Sequence, residues 1–303
     1  MGGLFALHAT SNFVAQVLPI DQKSFGRAEV NRLAKEHEAE ALAFLATRPI
    51  HTAIMSGLIR DNGIVSPLNR GTFYAYCNWK GQLEGMALIG HITLIEVTSL
   101  LALEAFAGAA RAASGVHVIL AEREKAELFW KYYGPGGQNQ RLLRRELLFE
   151  LRGPLQVFEP VLDLRQATLD ELEPVMLVQA QMAFDEGGVN PMEIDPRGFR
   201  LRCARRIEQG RVWVWLEGGR LIFKADILAD TPEVNYLEGV WMNPQERGKG
   251  YGVRCMSQLG RQLLTRTKAV TVLVNEDAPQ AQAFYRKAGC RFRGCYDTIY
   301  LHR

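Results

Sequence analysis

No two cysteines in this chain have CxxC spacing, and the total of five (Cys77, Cys203, Cys255, Cys290 and Cys295) is odd. Neither a disulfide framework nor a zinc site of paired thiolates fits that pattern, and a reducing, cytoplasmic setting is expected. The six histidines (His8, His37, His51, His91, His117 and His302) lack metal-ligand spacing, so no metal is expected. Long apolar runs are missing too. Crossing a bilayer takes ~18 apolar residues, and the longest contender, residues 92–113, is broken by Glu96, Glu104 and Arg111; membrane insertion is not expected. The first twenty residues carry no charge, but they lack a basic n-region and contain His8, Ser11, Asn12 and Gln16, which reads as a strand or an ordered arm. Charge of one sign is also scarce. The 36 basic and 33 acidic residues leave a net +3, too little for wholesale nucleic-acid binding, and no nucleic-acid partner is expected.

What is present is an ordinary globular composition, 48% hydrophobic and 23% charged over 303 residues. That length suits one long domain or two of about 150 residues. A repeat favours two. Residues 115–134 read GVHVILAEREKAELFWKYYG and residues 269–289 read AVTVLVNEDAPQAQAFYRKAG, each an alternating strand, an acidic turn and a short helix ending in aromatics and glycine. The elements around each copy follow a similar order. In the first half, periodicity predicts a helix over 34–60, a hairpin over 72–91 turning at Asn78 to Gly81, a strand over 92–97, an Ala-rich helix and a closing strand over 144–151. In the second half it predicts a strand over 160–165, helices over 169–184 and 199–208, a hairpin of 211–216 with 220–228, and a strand over 235–242. A helix over 253–264 and a strand over 270–275 follow. The fold class expected is α+β: two similar domains, 1–155 and 156–303, each a mixed, mostly antiparallel sheet flanked by helices.

The segment Asn243-Pro244-Gln245-Glu246-Arg247-Gly248-Lys249-Gly250-Tyr251-Gly252 joins the strand over 235–242 to the helix over 253–264. Three glycines in five residues remove Cβ obstruction and permit positive φ, so successive backbone N–H groups can converge on one anion. The N-terminus of the following helix adds partial positive charge, which suits a pyrophosphate. Arg247 and Lys249 supply ionic contacts. A Walker loop would need a Lys-Ser or Lys-Thr pair closing GxxxxGK, and a dinucleotide fingerprint would need GxGxxG; neither is met.

This segment resembles motif A of the GNAT superfamily of N-acyltransferases, whose pattern [QR]-x-x-G-x-[GA] is met by Arg247, Gly250 and Gly252. Ala281 to Gly289 is similar to the family's A-x-x-x-Y-x-x-x-G segment. The resemblance is specific in motif from about Leu237 to Gly289, and it extends in element order over residues 160–303. It implies a tandem GNAT protein that takes acetyl-CoA as acyl donor and an amine as acceptor. It also implies that Arg247, Gly248, Lys249, Gly250, Tyr251 and Gly252 hold the pyrophosphate, and that backbone groups of Val240 and Met242 hold the pantetheine arm. Glu238 stands where the family commonly has its base, and Tyr285 where many members protonate the departing thiolate. The family's arm-binding Asn is replaced here by Ala278 before Pro279, and Asn275 is expected to compensate.

The first half has no such loop: Thr98 and Ser99 lead straight from strand to helix, and CoA binding is not expected there. It reads as a degenerate GNAT-like domain that shapes the acceptor pocket or caps the active half. Asp185 and Glu186 read either as solvated acids where a helix breaks at Gly187 and Gly188 or as an acceptor-side pair suited to a cationic amine. Arg197, Arg200, Arg202, Arg205 and Arg206 form a basic stretch open to a 3′-phosphate, an acidic partner or water. The function expected is N-acetyl transfer to a primary amine of a small molecule or peptide; the alternative is an acyl-CoA-binding regulatory protein without turnover.

Overall fold

The structure, a computed structural model, describes residues 29–153 and 156–302; the arm expected over residues 1–20 lies outside them. The first half contains β1 (Glu29–Arg32), α1 (Glu38–Leu45), α2 (Pro49–Asn62), β2 (Gly71–Cys77), β3 (Leu83–Gly90) and β4 (Ile92–Val97). It continues with α3 (Leu100–Ala112), β5 (Val118–Glu122), α4 (Arg123–Tyr133) and β6 (Gln140–Leu151). The second half contains β7 (Arg165–Gln166), α5 (Leu172–Gly187), α6 (Pro191–Ile194), α7 (Pro196–Glu208), β8 (Val212–Glu217), β9 (Arg220–Asp230) and β10 (Val234–Met242). After it come α8 (Tyr251–Leu263), β11 (Ala269–Asn275), α9 (Pro279–Lys287) and β12 (Arg291–Leu301).

Three sequence expectations shift. The helix over 34–60 is two helices, because Pro49 lacks an N–H to continue α1 and instead opens α2. The strand over 160–165 shrinks to Arg165–Gln166. A last strand, β12, had no counterpart among the expected elements; its polar start, RFRGC, hides the alternation that follows.

Mixed pairing, mostly antiparallel, is as expected, but among the described residues the strands form one twelve-stranded sheet in the order β1-β2-β3-β4-β5-β12-β6-β11-β10-β9-β8-β7. Among the described residues the parallel pairs are β4 with β5 and β10 with β11, one in each half. At the centre the halves exchange closing strands. β12 of the second half inserts between β5 and β6, and β6 of the first half lies between β12 and β11.

Helices cover both faces. Along β6 the side chains alternate: Leu147, Phe149 and Leu151 join the core under α8 and α9, while Leu148 packs with Leu45, Met55 and Ile59 of α1 and α2. Ile299 and Leu301 of β12 pack with α3 and α4. Helix α2 also crosses onto the other half, where Gly57 lies so close to β9 that a Cβ there would come within 2.6 Å of the Ala229 Cβ. Ala53 joins Val234 and Tyr236 of β10 in the same cluster. Arg211 fixes this crossing through a two-point ion pair with Asp61, and Arg205 donates to Asn62 at 2.8 Å.

Candidate functional site

β10 and β11 run side by side only from Val234↔Ala269 to Leu237↔Val272. β11 continues along β6 as far as Asn275↔Glu146, whereas β10 bulges between Glu238 and Trp241 and follows β9. The bulge requires Gly239, whose φ is 58°. A Cβ there would sit 2.7 Å from Gln179 Oε1 and 2.8 Å from Lys224 Nζ. The two strands thus part and leave a gap. Asn243 N–H donates to Ile222 O of β9 at 2.8 Å; by the two-residue period of a strand, Met242 N–H faces the gap.

The loop beyond has an open backbone. Gly248 and Gly250 have φ of 79° and 85°, and no atom lies within 4 Å of where a Cβ would stand on either. Helix α8 starts at Tyr251 with no side chain capping its first N–H groups, which leaves them for a ligand. Arg247 Nε donates to Met242 O at 3.1 Å, tying loop to strand. Lys249 pairs with Glu246 at 2.8 Å, and Glu246 pairs with Arg220 at 2.9 Å. Gly252 has a packing reason: a Cβ would lie 3.0 Å from Phe284 of α9. Tyr251 stands edge-on to Trp215. Asn275 Oδ1 accepts from Asp277 N–H at 3.0 Å, closing the turn into α9, so that oxygen serves the turn.

Tyr285 of α9 is buried, its ring stacked on Phe149 and edge-on to Phe284. Burial, with Cys290 and Glu186 nearby, raises its phenol well above the ordinary range and keeps the proton on oxygen. Cys255, on α8, is fully buried and its thiol is pushed up to about 12 by burial, far from a nucleophile's state.

On the opposite face of the gap, carboxylates converge. Glu238 of β10 is bonded to Arg206 of α7, which also meets Asp226 of β9 at 3.0 Å. Burial works against the Arg206 charge, but Glu238 and Asp226 outweigh it and hold the guanidinium protonated. Lys224 is fully buried, 2.7 Å from Asp226 and 2.7 Å from Gln179 Oε1. Glu186 ends α5. Its carboxyl is pushed up to about 7, first by burial and then by Glu238, with Glu146 adding to the effect and Arg144 and Lys224 opposing it. Neighbouring groups surround Glu186, yet the residue is exposed to water. Glu146 of β6, bonded by Thr298, is raised chiefly by burial.

The helix end that presents Glu186 is held from the other half. Arg144 of β6 donates to the carbonyls of Asp185 and Glu186 at 3.2 and 3.0 Å, and Arg141 binds the carbonyl of Gly187. Cations at a helix C-terminus are favoured by its dipole. Of the two expected acceptor-side acids, Glu186 enters the carboxylate cluster and Asp185 bonds outward to Gln181. The basic stretch on α7 is largely paired within the protein: Arg200 with Glu173, Arg202 with Asp195, Arg205 with Asn62 and Arg206 with Glu238.

Sequence reading missed Lys224, and it named Arg206 only as one of a basic stretch, without its partners Glu238 and Asp226. Lys224 sits mid-strand in RLIFKADILAD, where its alternation with Phe223 and Ala225 looks like an ordinary solvated face. Replacing Lys224 with methionine keeps the volume but leaves Asp226 buried with only Arg206; breaking such a pair costs about 3 kcal/mol, to be read as a lower denaturation midpoint at unchanged slope.

The first half repeats the plan without the site. β4 and β5 pair in parallel only from Ile92↔Val118 to Leu94↔Leu120 and then part, but β4 has no bulge on β3. Ser99 caps α3 by accepting from Ala102 N–H at 3.2 Å, so no glycine cradle forms. The parting point is filled by charge. Glu96 of β4 pairs with Arg48 at 2.7 Å and Lys125 at 2.9 Å, and both cations also meet Glu122.

Residues 179–290 match the sequence model of the acetyltransferase (GNAT) family, so the second half carries a GNAT domain. Solved structures extend the likeness to both halves. A Drosophila protein aligns with TM-score 0.63 at 11% identity, covering 90% of this chain and 98% of its own. A tandem GNAT protein from the clavulanic acid biosynthesis pathway aligns with TM-score 0.55 at 14% identity, covering 91% and 99%. A GNAT-family acetyltransferase from Colwellia psychrerythraea aligns with TM-score 0.53 at 13% identity, covering 90% and 100%. The fold is that of a tandem GNAT protein. None of the curated proteins compared matches the chain in sequence.

Proposed function

We propose that this chain is an acyl-CoA-dependent N-acyltransferase whose catalytic domain is residues 156–303, residues 1–155 being a GNAT-like domain that does not take the coenzyme. The observation that carries this reading is the gap between β10 and β11, with anion-binding N–H groups at one end and a carboxylate of raised pKa across it. In this reading residues 247–252 hold the pyrophosphate, with Arg247 and Lys249 at its edge, and the N–H groups of Val240 and Met242 hold the pantetheine arm as an added strand would.

The acceptor is a primary amine of a small molecule or peptide, and acetyl-CoA is the simplest donor. An amine with the reference lysine pKa of about 10.4 is mostly protonated at neutral pH and cannot attack. Glu186, titrating near neutrality, takes that proton directly or through a water. The base role expected of Glu238 passes to Glu186, because Glu238 is engaged with Arg206; Glu238 then positions the amine and keeps Glu186 basic. The freed nitrogen bonds to the thioester carbon while a backbone N–H of β10 steadies the oxyanion, and as the C–S bond breaks the nitrogen's second proton passes through water to the departing sulfur. Tyr285, whose proton is held tightly, donates a hydrogen bond to the departing sulfur and not a free proton.

Thiol release from acetyl-CoA, followed against a panel of amines from diamines to peptides, tests the proposal. Acceptor-dependent release is the expected result. Saturable acetyl-CoA binding with no turnover on any amine would instead make the chain an acyl-CoA-binding regulatory protein.

A further inference from the structure

Beneath α2 lies a cavity that the acetyl-transfer reading does not use. Its empty volume is about 470 Å³ counting the open mouth, of which about 30 Å³ is wide enough for the centre of a water molecule to move in. Tyr236 of β10 and Leu273 of β11 both line it, and these two residues bracket Leu237↔Val272, the last pair before the strands part. The cavity therefore borders the gap where the thioester carbonyl is placed. From there its walls are mostly apolar: Ile50 and Ile54 form the roof from α2, and Leu148 of β6 lies in the floor. The far end is polar. His51 reaches Tyr296 at 2.8 Å and Glu122 at 3.3 Å, and Glu96 and Glu122 are tied to Arg48 and Lys125.

We infer that this cavity seats the acyl chain of the donor, so that a chain of about four carbons is preferred to acetyl. The inference rests on the acyl-CoA reading above and adds the chain length. A void between Ile50, Ile54, Leu148 and Leu273 offers water few hydrogen-bond partners, whereas a methylene chain entering it leaves water at no polar cost. The charged far end sets the limit, because a longer chain would have to strip solvent and partners from a paired ionic network. Room for about two water-sized positions corresponds to roughly two methylenes beyond acetyl. The roof belongs to the half that lacks the coenzyme loop, which gives that half a task in the reaction: α2 closes the acyl pocket of its neighbour.

Calorimetric titration of the full chain with acetyl-, butyryl- and decanoyl-CoA tests this without knowledge of the acceptor. Butyryl-CoA is expected to bind about tenfold more tightly than acetyl-CoA, from two further buried methylenes, and decanoyl-CoA more weakly than butyryl-CoA. In the Ile54→Trp protein the indole fills the roof, and the butyryl-to-acetyl affinity ratio is expected to fall to near one. Acetyl-CoA binding as tightly as butyryl-CoA to the unmodified chain overturns the inference and leaves the acyl-CoA reading intact. A preference for butyryl-CoA that folded Ile54→Trp protein retains overturns the location. No binding of any of the three overturns both readings.

Discussion

Replacing Gly250 with valine is expected to raise the Kd for acyl-CoA by more than about a hundredfold while leaving the fold in place. Gly250 has φ 85° at the start of α8, a conformation that costs an L-residue roughly 1–2 kcal/mol and a β-branched one more. The valine can escape only by rotating the peptide, which turns the first N–H groups of α8 away from the cradle. Each lost hydrogen bond to a charged oxygen is worth roughly 1.5–3 kcal/mol, so strain and donor loss together exceed the ~2.8 kcal/mol that a hundredfold change requires. Nothing else crowds the position, since no atom lies within 4 Å of the added Cβ. Titration with CoA, checked by circular dichroism, measures the effect. Unchanged affinity in the folded variant would detach the loop from coenzyme binding.

Glu186→Gln should lower turnover by about 10²–10⁴-fold, the usual contribution of a positioned general base, with acyl-CoA affinity little altered because Glu186 lies across the gap from the loop. The pH profile carries the second half of the prediction. A base titrating at about 7 makes turnover rise with pH and level off above that value, and the glutamine variant should lose that rise. Stability moves the other way. The folded carboxyl titrates above its ordinary value of 4.5, so its contribution is fully present at low pH and is lost as pH rises through about 7. The variant, carrying no charge to desolvate, should melt at least as high as the parent protein at pH 8, with the difference reduced by the water that reaches Glu186. A variant that is slower yet no less stable separates catalysis from unfolding. Glu238→Gln, which leaves Arg206 on Asp226, is expected to cost less turnover than Glu186→Gln.

Local signals made much of this legible. Glycines at 248, 250 and 252 after an apolar strand announce the open turn into α8, and the repeated strand, acidic turn and helix announce the two halves, because both depend on residues close in sequence. The hairpin turns at Asn78 to Gly81 and at Gly218-Gly219 were visible for the same reason. Glu238 stands at the bulge of β10 and Tyr285 is buried on α9, and their surroundings come from distant segments: Arg206 from α7, Phe149 from β6. The raised carboxyl of Glu186 arises only where α5, β6, β9 and β10 meet, so no spacing rule encodes it. Likewise, Lys125 and Arg48 lie 77 positions apart by their numbers, and their joint closure of the first half's parting point shows only in the folded chain.

The exchange of β6 and β12 sets the order of events during synthesis. β5 cannot acquire its second neighbour until β12 has emerged, and the ion pair between Arg123 and Asp297 joins residues 174 positions apart. While the ribosome is still making the second half, the first half presents an open strand edge, a known liability for pairing with other chains. Closure across so much chain is entropically slow. Neither half can complete its sheet independently, so a nascent chain stalled before β12 should be aggregation-prone and dependent on chaperones, and the two halves expressed apart should be recovered together or not at all.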